Sequence, residues 1–88
     1  GGLDVHVSPN PIGTNHAALS MTSSVAGGLN ITLFDQVGRQ VFHQEDVRIG
    51  SGGTVTLPLD LTSIPNGVYI LLVSSGDQTA STSLVIVR

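Results

Sequence analysis

The stretch Ile64-Pro65-Asn66-Gly67-Val68-Tyr69-Ile70-Leu71-Leu72-Val73 constrains this chain more than any other. Proline fixes φ and glycine accepts positive φ, so Ile64–Gly67 reads as a tight turn rather than a helix start. Beyond the turn, Val68, Ile70 and Leu72 fall on one face of a strand, and Tyr69, Leu71 and Val73 on the other. Both faces are apolar. The strand is therefore expected to be central in its sheet and covered on both sides.

The rest of the chain keeps to the same period. Leu3, Val5 and Val7 alternate in a first strand, which Ser8-Pro9-Asn10-Pro11 breaks because proline cannot donate to a ladder. Ala17, Leu19 and Met21 define the inward face of a second strand. Ser23–Gly28 reads as a loop by composition. Leu29, Ile31 and Leu33 point inward from a third strand, which turns through Gln36–Arg39 into Gln40–Gln44. Gly38 is the expected positive-φ position of that hairpin. After the Gly-rich loop Gly50–Gly53, residues Thr54–Leu59 alternate with Val55, Leu57 and Leu59 inward, and Pro58 places this strand at an edge. Leu61 and Ile64 are expected to plug the end of the core. Ser75–Gln78 is the last turn and Ala80–Val87 the last strand.

Short strands at roughly 8–12-residue spacing, with no helical periodicity, predict an all-β, immunoglobulin-like antiparallel sandwich of about seven strands. A chain of 88 residues fits one domain, residues 1–88, with Gly1-Gly2 as a linker or cloning remnant. Cysteine is absent, which excludes disulfides and thiolate metal sites. The charge is −3 and there is no lysine, so no basic patch exists to neutralise phosphates and nucleic acid is excluded as a partner. The longest apolar run, Val68–Val73, is far shorter than the ~20 residues of a membrane-spanning helix. No charged segment followed by an apolar one marks a leader peptide.

Catalytic and ligand signatures do not emerge. No Gly-x-Ser-x-Gly elbow or phosphate-binding glycine loop occurs, so no catalytic or cofactor-binding residue is assigned. His6, His16 and His43 lack ligand spacing, and Glu45-Asp46 lacks the Asx-rich pattern of a calcium loop, so no metal site is assigned. Asp35, Glu45, Asp46, Asp60 and Asp77 are read as strand-end and turn residues that cap backbone amides. Asn30-Ile31-Thr32 matches a glycosylation sequon but sits within a strand.

Four motifs in order carry a resemblance. They are Val7-Ser8-Pro9-Asn10-Pro11; the strand–turn–strand Leu33–Val41 with Gly38-Arg39; Ile64-Pro65-Asn66-Gly67-Val68-Tyr69; and Leu84-Val85-Ile86-Val87-Arg88. Together they resemble the C-terminal sorting domain of type IX secretion cargo, in its type A form, over Val5–Arg88. Many relatives carry lysine where this chain has Ser83.

The resemblance implies a non-catalytic secretion signal on a larger exported protein of Bacteroidota. An upstream passenger domain would pass through the periplasm and reach the cell surface or medium. The implied partners are the type IX machinery, namely an outer-membrane shuttle or receptor and a sortase-like peptidase that removes the domain near or upstream of Leu3. The signal residues it implies are Pro9, Asn10, Pro11, Gly38, Arg39, Gly67, Val68, Tyr69, Leu84, Val85, Ile86, Val87 and Arg88.

Elementary chemistry adds detail to those residues. Gly38 is read as a backbone requirement, and Arg39 as either a receptor contact or a loop-bonding arginine. Tyr69 is read as a tyrosine corner whose hydroxyl meets a loop carbonyl. A free edge on the last strand, with Arg88 beside it, is expected to receive a partner. The domain is expected to be monomeric, with a strand-swapped or edge-paired dimer as the alternative state. A carbohydrate-binding or adhesion module, or an assembly spacer, is the alternative function. The scarcity of aromatics argues against sugar stacking.

Overall fold

Each alternating segment becomes a strand in the computed structural model, which describes residues 2–24 and 26–88. Gly1, half of the expected linker, and Val25, within the expected Ser23–Gly28 loop, lie outside the described residues. The strands are β1 (Leu3–Ser8), β2 (His16–Ser23), β3 (Gly27–Phe34), β4 (Gln40–Ile49), β5 (Gly53–Asp60), β6 (Gly67–Ser75) and β7 (Gln78–Ile86). Among the described residues there is no helix. One sheet has the order β1-β2-β5 and the other β4-β3-β6-β7, with every strand pair antiparallel. This is the expected all-β, immunoglobulin-like sandwich, with the fourth strand added to the larger sheet.

The inward positions read from the sequence form the core. Leu19, Met21, Leu29, Ile31, Leu33, Leu71, Val73, Leu84 and Ile86 are buried between the sheets, and Leu61 and Ile64 close one end. At about 25 cal/mol per Å², burying side chains of this size supplies most of the driving force for the fold. Pro58 lies on the edge strand β5, as its missing N–H requires.

Several expectations give way to tertiary structure. β6 is interior to its sheet, with β3 on one side and β7 on the other, but only one of its faces is covered. Tyr69, Leu71 and Val73 are buried, whereas Val68 and Ile70 face outward and stay exposed. A sandwich has two layers, so nothing in the fold covers an outer face.

The hydrogen-bonded turn before β6 is Leu61–Ile64, where Ile64 N–H donates to Leu61 O, three residues earlier than expected. Gly67 itself begins β6 at φ 158°, which is nearly extended. β2 begins at His16, one residue ahead of the Ala17 position read from the sequence. Gly27 and Gly28 belong to β3, Gly53 to β5, and β7 starts at Gln78.

β4 also continues five residues past Gln44, to Ile49, so Glu45 and Asp46 are strand residues. The polar run Gln44-Glu45-Asp46 hides that continuation because the pairing is bulged there. Leu29 pairs with Val47 and Ile31 with Gln44, which leaves one extra residue on β4. Asp46 absorbs the bulge at φ 58°, and its N–H donates to Asn30 Oδ1. Gly28 makes room for it, because a Cβ there would lie 2.5 Å from Asp46 Oδ1.

Candidate functional site

The four motifs meet at one end of the sandwich. Cross-strand register fixes this placement: Phe34 pairs with Ile70, and Ile70 with Ser83. The β3–β4 turn, the start of β6 and the close of β7 therefore share a pole. Leu3 pairs with Ser23 at the opposite end of the smaller sheet.

The Pro-Asn-Pro segment lies along β7. Proline on either side of Asn10 leaves the segment few backbone donors, and the Asn10 side chain replaces them. Its Nδ2 donates to Ser83 O at 3.1 Å, and its Oδ1 accepts from Val85 N–H at 3.1 Å. The primary amide thus imitates a strand peptide. Ile12 continues the pairing in parallel, donating to Val85 O and accepting from Val87 N–H. The β7 edge over Ser83–Val87 is therefore covered from within the chain, contrary to the expected free edge. Pairing of that side stops before Ser83, so only the earlier part of β7 keeps an open edge among the described residues.

Arg88 turns inward. One terminal guanidinium nitrogen donates to Asn15 Oδ1 (3.1 Å) and Leu61 O (2.9 Å), and the other donates to Ile64 O. Asn66 holds the Arg88 backbone in a reciprocal pair, accepting from its N–H and donating to its O, both at 3.2 Å. Arginine suits this job because its planar fork reaches several carbonyls at once while remaining charged. Tyr69 completes the pole: its hydroxyl donates to Pro65 O at 2.6 Å, the expected tyrosine corner.

The Gly-Arg motif is a stapled turn. Gly38 takes φ 85°, and Gly38 N–H donates to Asp35 O. Asp35 Oδ1 accepts from the N–H groups of Val37 and Arg39, while Oδ2 accepts from Arg39 Nε at 2.9 Å. Arg39 is thus tied to a carboxylate rather than to loop carbonyls. Its other guanidinium nitrogens have no partner among the described residues, and the side chain is 77% exposed.

Of the signal residues, Leu84 and Ile86 are core, while Val85 and Val87 point away from it. Sequence reading passed over Ile12, Asn15 and Asn66 as partners, whereas Asp35 caps backbone amides as expected and adds the Arg39 side chain. For Asn10 a signal existed: an amide between two prolines is the segment's obvious donor.

Two carboxylates give the pole's turns an acid dependence. Asp35 is held below the usual aspartate range chiefly by the Arg39 backbone N–H, helped by the Arg39 side chain and the Val37 N–H. Asp60 is lowered by the Thr62 hydroxyl and then the Thr62 N–H. A depressed folded-state pKa means the stabilisation is complete above about pH 4, the unfolded value, and fades as pH falls through the folded value. Urea midpoints measured down from pH 7 are expected to hold level and then drop below about pH 4, less steeply in Asp35→Asn.

The chain is thus defined as a two-sheet immunoglobulin-like module whose motifs are knitted into one pole. Residues 6–87 match the profile of the secretion system C-terminal sorting domain, and the chain belongs to this family, the type IX sorting domains. No curated protein sequence matches the chain. Among solved structures, dimeric latent PorU from Porphyromonas gingivalis shares the fold, with a TM-score of 0.74 and 22% identity over 98% of this chain. The chain spans 9% of that PorU chain.

Proposed function

We propose that residues 1–88 act as one non-catalytic sorting domain of the type A form, read in the folded state. It directs an upstream passenger from the periplasm across the outer membrane to the surface or medium. Family membership over residues 6–87 supports a type IX sorting signal. The observation that carries the folded-state reading is the pole: motifs more than 70 positions apart in sequence, Asn10 with Ser83 and Val85, are bonded to one another. A receptor meeting that pole meets all four motifs in one place. Pro9, Asn10, Pro11, Gly38, Gly67, Tyr69, Leu84, Ile86 and Arg88 serve recognition by building the surface, while Arg39, Val68, Val85 and Val87 remain free to touch a partner.

Removal by a sortase-like peptidase near or upstream of Leu3 fits the geometry, because Leu3 lies at the pole opposite the motifs. A peptidase can then act on one end while the other is held.

The test is export of a fluorescent passenger in a bacterium with type IX machinery, with and without residues 1–88. The expected result is extracellular signal only with the domain attached, together with a shed fragment of the domain's size. Equal retention of both passengers inside the cell would sink the sorting role, and secretion without any shed fragment would remove the peptidase step.

A further inference from the structure

The two outer faces of the sandwich differ in chemistry. On the smaller sheet, register sets Asp4, Thr22 and Thr54 in one row and His6, Ser20 and Thr56 in the next, with cross-strand hydroxyl bonds between Thr22 and Thr54 and between Ser20 and Thr56. That face is finished for water. The larger sheet instead presents Val68 beside Val85, and Phe34 beside Ile70. Val37 (83% exposed), Val87 (61%), Ile70 (45%) and Val68 (40%) are the exposed large hydrophobics of the described residues. Val68 and Ile70 lie on the outer face at the motif pole, Val87 follows β7 there, and Val37 tips the turn beyond Phe34. Towards the far pole the same face turns polar, with His43, Thr32 and Ser81 around Leu72.

Fold stability does not ask for this arrangement, since threonine holds a strand position as well as valine and meets water better. A clustered apolar area on an otherwise hydrophilic small domain marks a contact surface. Electrostatics narrows the occupant. The apolar rows carry no acid, and the Arg39 guanidinium at the rim keeps terminal nitrogens that its Asp35 pairing leaves unused. Leu3 lies at the other pole, so a segment joined ahead of it is tethered away from this area.

Building on the sorting role above, we infer that the outer face formed by Phe34, Val68, Ile70 and Val85, with Val87 and Arg39 at its rim, is where the domain docks on a protein of the export machinery. The complementary surface is apolar, with a carboxylate placed over Arg39.

The export assay above, repeated with Val68→Thr/Ile70→Thr, tests this. Both changes keep strand-forming side chains at exposed positions, so the purified variant is expected to melt as the parent does. Secretion is expected to fall about tenfold or more, the usual scale for losing apolar anchors from an interface. Ile70→Leu and, on the opposite face, Ser20→Ala are expected to export normally. Arg39→Gln is expected to reduce export several-fold, and Arg39→Lys to restore it only in part, because one ammonium cannot both pair with Asp35 and reach a partner. If the double variant proves unstable, Val87→Ser, outside every strand, serves in its place.

Normal secretion of a folded double variant would overturn the docking face while leaving the sorting role intact. Concentration-dependent dimerisation of the parent, abolished in the double variant, would overturn it by assigning the face to a second copy. Failure of the parent domain to export its passenger would remove the sorting role, and the docking face with it.

Discussion

Removing Ser83–Arg88 is expected to leave the domain unfolded rather than merely unread. The deletion takes Leu84 and Ile86 out of the core, where both are fully buried. Losses of this type cost about 2–5 kcal/mol each, against a total stability of about 5–15 kcal/mol for a small domain. It also strips Gly67–Ile70 of their partners on β7, frees Ile12 from its bridge, and leaves the carbonyls of Leu61 and Ile64 without Arg88. Far-UV circular dichroism should show the strand signal lost, and amide resonances should collapse to random-coil positions. Native-like dispersion in the truncated chain would mean that the larger sheet closes without its last strand. The practical point concerns secretion assays: loss of export on this truncation reports loss of the fold. Surface substitutions are what can locate a receptor contact.

Ile12→Ala is expected to be strongly damaging although the residue lies outside every strand. Ile12 has no exposed surface, although it stands between Pro11 and Gly13 in what reads as a loop. Cutting it back is expected to cost about 3 kcal/mol, within the range for large-to-small core substitutions. Asn10→Ala, which removes two hydrogen bonds near the surface, is expected to cost only about 1 kcal/mol. Urea midpoints compared at equal slope would separate the two. Equal losses would mean that Asn10 and Ile12 act as one latch, with the amide positioning the side chain that plugs the core.

Those two residues mark where the sequence was legible and where it was not. Strict alternation made the Leu29–Leu33 face of β3 readable, though not the two glycines that open the strand, and β6 could be placed inside its sheet from its apolar content alone. Ile12 carries no such signature, because a single apolar residue between proline and glycine has no period. β4 was cut short for a related reason: its bulge inserts polar residues where alternation would require apolar ones. The second covered face assigned to β6 did not materialise either. Apolar content tells that a strand is central, but a contact surface and a covering layer leave the same trace in sequence.

The candidate site was half visible. Its motifs could be found by resemblance, and Tyr69 and Gly38 by elementary chemistry. That Arg88 turns inward, and that Asn10 stands in for a strand, depends on long-range placement that local pattern does not encode. The inward arginine matters for interpretation. A basic residue at this position, expected to meet a partner directly, here holds the loops from which the motif pole is made.

The bonds between Asn10 and β7 also set an order in time. They join positions 73 and 75 residues apart, and β6 gains its outer neighbour only when β7 arrives. During synthesis the early strands can form and pair, but the larger sheet cannot close until the ribosome has released residues through Arg88. A nascent chain that stalls or is cut before Leu84 therefore has no finished pole to offer. Built this way, the motif pole is the last part of the domain to be finished: its earliest motif waits on its latest for a partner.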